Sequence, residues 1–117
     1  MNTTHEIAAR LSSLCSELKF VEAYNELFSE HAESIDPVYG NVPLKGLSEL
    51  IEREKKFLST AEIHEIKLSG PIFAGNYFSI ILSMRATISG QGERLLEELC
   101  VYKIENGKII SQQFFIG

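Results

Sequence analysis

Residues able to do chemistry are sparse in this 117-residue chain, and their spacing narrows what that chemistry is. Cys15 and Cys100 are the only cysteines, lie far apart, and sit inside apolar-periodic segments, where a free thiol behaves as a small hydrophobe. His5, His31 and His64 show no metal-ligand spacing with one another or with either cysteine, so no metal site and no cofactor are expected. Carboxylate and imidazole acid–base chemistry remains. Asp36 stands before Pro37, which forces it into an extended conformation. A carboxylate in an apolar setting has its charged form disfavoured, which lifts its pKa toward the range useful to a general base. The plainer reading is that Asp36 bonds the backbone of its own loop, as aspartates commonly do.

The elements that must position these groups are legible from periodicity. Thr3 and Glu6 form a capping box, and Ile7, Leu11, Leu14, Cys15 and Leu18 then stack on one helical face. After a polar break at Glu17–Lys19, the residues Val21, Tyr24, Leu27 and Phe28 predict a shorter second helix ending near Glu30. Pro37 to Gly46 reads as a loop. Ser48 is the expected cap of a third helix with Leu47, Leu50, Ile51, Glu54, Phe57 and Leu58 on one stripe; Glu49–Arg53 and Glu52–Lys56 are expected as exposed ion pairs. The run Glu52-Arg53-Glu54-Lys55-Lys56 reads as a solvated helix face.

From Ala61 onward the period changes to two, and strands are predicted near 62–69, 76–89, 93–105 and 108–116. Short turns join them, so they should be antiparallel, and Asn106-Gly107 is a strong hairpin signal. In the second of these strands Phe78, Ile80, Leu82, Met84, Ala86 and Ile88 share one face, which belongs against the helices. The opposite face is mixed rather than highly charged, as a face half covered by a second copy would be. A homodimer through the sheet face is therefore expected. With 11 Lys+Arg against 16 Asp+Glu the net charge of −5 repels phosphate backbones and anionic lipid, so neither nucleic acid nor membrane is an expected partner. The N-terminus lacks a basic start followed by an apolar stretch, and a cytoplasmic location is expected.

A helix pair, then Leu27-Phe28-Ser29-Glu30-His31-Ala32, an extended Asp36-Pro37, Gly46 before an amphipathic helix, and four strands with Tyr102-Lys103-Ile104-Glu105-Asn106-Gly107-Lys108-Ile109 near the end: this order resembles the nuclear transport factor 2-like superfamily, within it the SnoaL-like polyketide cyclases and the ketosteroid isomerases. The resemblance covers essentially the whole chain. It implies an α+β fold, a cone-shaped α+β barrel of three N-terminal helices packed on a curved antiparallel sheet, enclosing a pocket for a small apolar molecule. It also implies that Asp36 matches the carboxylate with which ketosteroid isomerases shuttle a proton beside a carbonyl. The donors that such isomerases use are not where the pattern puts them. Leu11 or Ser12 stands where the first-helix tyrosine would fall, and Cys100 near the third-strand acid, with Glu98 two residues earlier on the same face. The cyclase-type acid of the last strand is missing from Ser111-Gln112-Gln113-Phe114-Phe115.

Asp36 and Glu98 are thus the candidate catalytic pair. The other pocket residues turn on the final hairpin, because one residue of register flips every side chain. A strict two-residue turn puts Glu98 on a face with Gln113 and Phe115. A three-residue loop with Gly107 in a bulge puts it with Gln112 and Phe114, and the resemblance favours this form. Tyr24, Tyr39, His64, Met84, Tyr102, Gln112 and Phe114 are the expected ligand contacts. His64 is placed there by the face that it shares with Ile66 and Leu68, though such a histidine is more often a partly buried spacer. Tyr24 has an alternative too, in the core with Val21 and Phe28.

Overall fold

Thr3 accepts the Glu6 N–H at 3.1 Å while the Glu6 carboxylate accepts the Thr3 N–H at 2.9 Å, so the expected capping box closes and helix α1 runs Thr4–Ser16. The computed structural model describes residues 3–117. Helix α2, Phe20–Leu27, stops a turn earlier than its periodicity suggests, and strand β1 occupies Phe28–Ile35. Phe28 is buried in either conformation, so the local pattern does not discriminate; pairing with the last strand does. A 3₁₀ turn at Pro37–Tyr39 and a two-residue strand β2, Leu44–Lys45, lead to helix α3, Leu47–Thr60. Its cap is Gly46 at φ 100°, not Ser48, and the Gly46 N–H donates to the Ala32 carbonyl at 2.9 Å, which ties the helix start to β1.

The remaining strands are β3, Ala61–Leu68; β4, Ile72–Ala74; β5, Tyr77–Ile88; β6, Gly92–Glu105; and β7, Lys108–Ile116. They form one sheet in the order β2-β1-β7-β6-β5-β3, with β4 beside β3 along the same edge of β5. The ladder is antiparallel except at β1–β7, where Phe28 pairs Ile109 and Ser34 pairs Gln112 in parallel. The sheet is therefore mixed, which corrects the all-antiparallel expectation. Strands joined by short turns must run antiparallel, but β1 meets β7 across most of the chain, and no turn constrains their direction.

Helices α1, α2 and α3 cover one face of this curved, unclosed sheet. Ile7, Leu11, Leu14, Leu27 and Leu50 meet Phe78, Ile80, Met84 and Ile109 there, each at most 6% exposed. Burying one such side chain contributes about 2–3 kcal/mol. The face of β5 assigned to the core is the buried one, with Phe78, Ile80, Met84 and Ala86 inside and Tyr77, Ile81 and Arg85 outside. Among the described residues no helix is long and apolar enough to cross a membrane.

Two irregularities decide which way the strands face. Asn106 and Gly107, both at positive φ, make a strict two-residue turn with Glu105 opposite Lys108. The ladder then shifts by one residue, pairing Ile104 with Ile109 but Lys103 with Ser111, so Ile110 is the extra residue. The bulge lies after the turn rather than at Gly107, and it turns Gln112 and Phe114 to the same side as Glu98 and Tyr102. A second shift falls at His64, between the pairs Ile63–Ala86 and Glu65–Arg85.

Candidate functional site

Between the helices and the concave sheet face lies a cavity of about 180 Å³. Its walls are apolar and aromatic, with Leu11 of α1, Tyr24 of α2, Phe57 of α3, Met84 of β5 and Phe114 of β7. Three carboxyl groups from three different segments also line it: Asp36 before the 3₁₀ turn, Glu54 of α3 and Glu98 of β6. The exposed Val38, Tyr39 and Ile116 lie at its mouth.

Asp36 takes the plainer of its two readings, as the cap of its own turn, and it also borders the cavity. Its Oδ1 accepts the Val38 N–H at 2.9 Å and caps the turn, and the residue is only 9% exposed against the cavity. The other two carboxyls are shifted strongly. Burial pushes Glu54 up to about 7, the negative charge of Asp36 adding to the effect and the Arg53 guanidinium opposing it. Burial likewise pushes Glu98 up to about 7, helped by the charges of Asp36 and Glu54. The Asp36 charge thus disfavours ionisation of both glutamates, and that of Glu54 disfavours ionisation of Glu98.

A polar network backs the cavity where β1 meets β7. Gln112, 3% exposed, donates from Nε2 to the Tyr24 hydroxyl at 2.7 Å and to Ser34 Oγ at 3.1 Å. Arg53 Nη2 donates to the same Ser34 oxygen at 2.7 Å, and its guanidinium lies 4.5 Å from the centre of the Tyr39 ring. The Tyr24 oxygen accepts from Gln112, which leaves its own proton free for a ligand. Burial lifts the pKa values of Tyr24 and Tyr102 well above the phenol range, so both stay neutral. Burial also pushes Cys15 and Cys100 up to about 12, so these cavity thiols are not nucleophiles near neutral pH.

Of the residues singled out in the sequence, Asp36, Glu98, Tyr24, Tyr39, Met84, Tyr102, Gln112 and Phe114 border this one cavity. His64 does not, and its expected contact is corrected. The bulge at His64 breaks the alternation, so that Ile63 and Ile66 both turn inward while the imidazole turns outward and meets Thr87 Oγ1 at 2.7 Å. Glu54 and Arg53 were missed as site residues because they stand in a charged run. The signal was present all the same: Glu54 falls on the stripe with Leu50, Ile51, Phe57 and Leu58, so it must face where they face. Arg53 leaves its expected partner Glu49 for Ser34. Among the described residues no group of three His, Cys, Asp or Glu is arranged to hold a metal ion.

Solved structures share this architecture over nearly the whole chain. A candidate SnoaL-like polyketide cyclase from Mesorhizobium loti matches with a TM-score of 0.90 at 22% identity, covering 97% of this chain and 98% of that one. A hypothetical protein of ketosteroid isomerase-like fold from Catenulispora acidiphila, in complex with trimethylamine, matches with a TM-score of 0.77 at 16% identity, covering 97% and 86%. A candidate isomerase from Bacillus subtilis gives 0.80 at 11% identity, covering 98% and 89%. These likenesses establish the nuclear transport factor 2-like, ketosteroid isomerase-like fold. No curated protein matches the chain. The model of the SnoaL-like domain matches residues 2–116, and the chain belongs to that family.

Proposed function

We propose that the cavity binds a small, largely apolar carbonyl compound and that Asp36 moves a proton beside that carbonyl, as in isomerase- and cyclase-type enzymes. One observation carries this reading: a carboxylate with one oxygen fixed by the Val38 N–H lines an apolar cavity beside two carboxyls whose pKa values reach about 7. The free oxygen of Asp36 takes the proton from the carbon next to the carbonyl, and the C–H electron pair passes to the carbonyl oxygen as an enolate. The free proton of Tyr24 and the protonated form of Glu98 are the donors that stabilise that oxygen. Return of the proton to the same or another carbon completes exchange or isomerisation.

The test is exchange of the α-hydrogens of cyclohexanone in deuterated water, followed by NMR. Asp36→Asn should lose about 100-fold or more of the rate while keeping its circular dichroism spectrum. Equal exchange in the two proteins overturns the reading. A non-catalytic carrier using the same cavity is the second reading, supported by Leu11 in place of a first-helix phenol and by the missing carboxylate at Ser111–Phe115. A small molecule retained unaltered through purification, seen by native mass spectrometry, favours the carrier.

The reading includes a homodimer through the outer sheet face, supported by the exposed Tyr77, Ile81, Leu95, Leu99 and Phe115. It also includes a cytoplasmic location, which the two free cysteines suit.

A further inference from the structure

The cavity holds an imbalance of charge that a neutral ligand would leave uncorrected. Asp36, Glu54 and Glu98 face it, and the one guanidinium on its wall, Arg53, is already bonded to Ser34 and stacked on Tyr39. The five ion pairs among the described residues all lie elsewhere. The second oxygen of Asp36, a residue 9% exposed, accepts from no group among the described residues. The Tyr102 hydroxyl, on a residue 7% exposed, meets only the Cys100 thiol, a weak partner. Neither atom is sealed off, since among the described residues the one fully buried side-chain polar atom without a partner is Ser12 Oγ; both open on the cavity, the place from which a partner would come.

We propose that the ligand is a small organic cation: an ammonium group on an apolar body, its charge held by Asp36, Glu54 and Glu98 and its substituents packed against the aromatic wall. Tyr24, Tyr102 and Phe114 bring aromatic rings to that wall, and such rings attract a cation where water is excluded. A carbonyl compound bearing such a group also offsets the negative charge that proton transfer moves from Asp36 to the enolate oxygen, beside Glu54 and Glu98. This rests on the same cavity being the ligand site, and not on the proton transfer.

The other titratable groups facing the acids are Cys15 of α1, Tyr24 of α2, Tyr39 of the 3₁₀ turn, and Cys100 and Tyr102 of β6. The two thiols and the buried phenols Tyr24 and Tyr102 stay neutral below pH 9, so Glu54 and Glu98 supply the pH dependence near neutrality.

Calorimetry with choline and its uncharged isostere 3,3-dimethylbutan-1-ol tests the proposal, since neither probe titrates in this range. At pH 8 choline should bind about tenfold more tightly or better. The preference should shrink toward pH 5.5 as Glu54 and Glu98 take up protons, and it should shrink likewise in the Glu54→Gln, Glu98→Gln double variant, where Asp36 alone remains and whose fold circular dichroism checks. Equal or tighter binding of the neutral isostere at pH 8, or a preference undiminished in the double variant, overturns the cation and leaves the apolar cavity standing. Binding of neither probe at millimolar concentration overturns it as well. Loss of Asp36-dependent exchange bears on the proton transfer alone.

Discussion

Along β6, Glu98, Cys100 and Tyr102 look into the cavity, while Leu95, Leu99 and Val101 on the same strand look away from it. The cavity on the inner side gathers three carboxyls, Glu98 from this strand, Asp36 from before the 3₁₀ turn and Glu54 from α3, amid an otherwise apolar wall. The mixed outer face carries exposed apolar side chains, with Leu95 78% and Phe115 48% exposed. Both groups depart from the usual tendency, in which carboxylates stay in water and large apolar groups are covered. An acid in an apolar cavity costs stability unless a ligand answers it, and an apolar outer face stays sticky unless a partner covers it. Each side of the sheet thus departs from the folding optimum in a way that something outside the chain would correct.

The comparison breaks most completely on the outer face. Leu99→Asp should convert a dimer to a monomer, read as a halved mass by light scattering, while exchange catalysed in the cavity is retained. A monomeric wild-type protein would instead mean that the outer face is uncovered.

On the inner face the acids should leave a signature in stability. Glu54 and Glu98 rise from 4.5 to about 7 on folding, so the folded state binds more protons than the unfolded state in that interval. Their contribution is fully present below about pH 4.5 and is lost as pH rises through about 7. Each is worth roughly 2–3 kcal/mol. The melting temperature should accordingly fall between pH 5 and pH 8. Glu98→Gln should flatten that slope and raise the melting temperature at pH 8; an unchanged slope would show that Glu98 is hydrated in solution.

The smallest effect is expected at the network behind the cavity. Gln112→Ala removes the donor to Tyr24 and one of the two donors to Ser34, at a cost of about 1–3 kcal/mol by chemical denaturation. A loss below about 0.5 kcal/mol would mean that water replaces the amide.

The legibility of the site differed residue by residue. Glu98 and Tyr102 were readable because alternation along a strand fixes faces as soon as one face is known to be buried. Gln112 and Phe114 required a bulge. The face came out as the bulged register gives it, but the extra residue is Ile110, past the turn, where the sequence carries no mark beyond two adjacent isoleucines. His64 was misplaced by the same kind of event, since a bulge in β3 cancels the parity on which its assignment rested. Glu54 was hidden by its neighbours: a run of charges reads as solvated, yet its position on the helical stripe outweighs its charge.

The sequence by itself determined the elements and their faces: the capping box, the stripe of α3, the long strands and the apolar side of β5. Each of these depends on residues within a few positions of one another, where periodicity and backbone preference act directly. Only the tertiary structure decided the rest. The parallel pairing of β1 with β7, the two bulges, and the meeting of Asp36, Glu54 and Glu98 around one cavity arise from contacts between segments distant in the chain. Helix α2 ends where it does for the same reason, because Phe28 gains a strand partner in Ile109 that no local pattern announces.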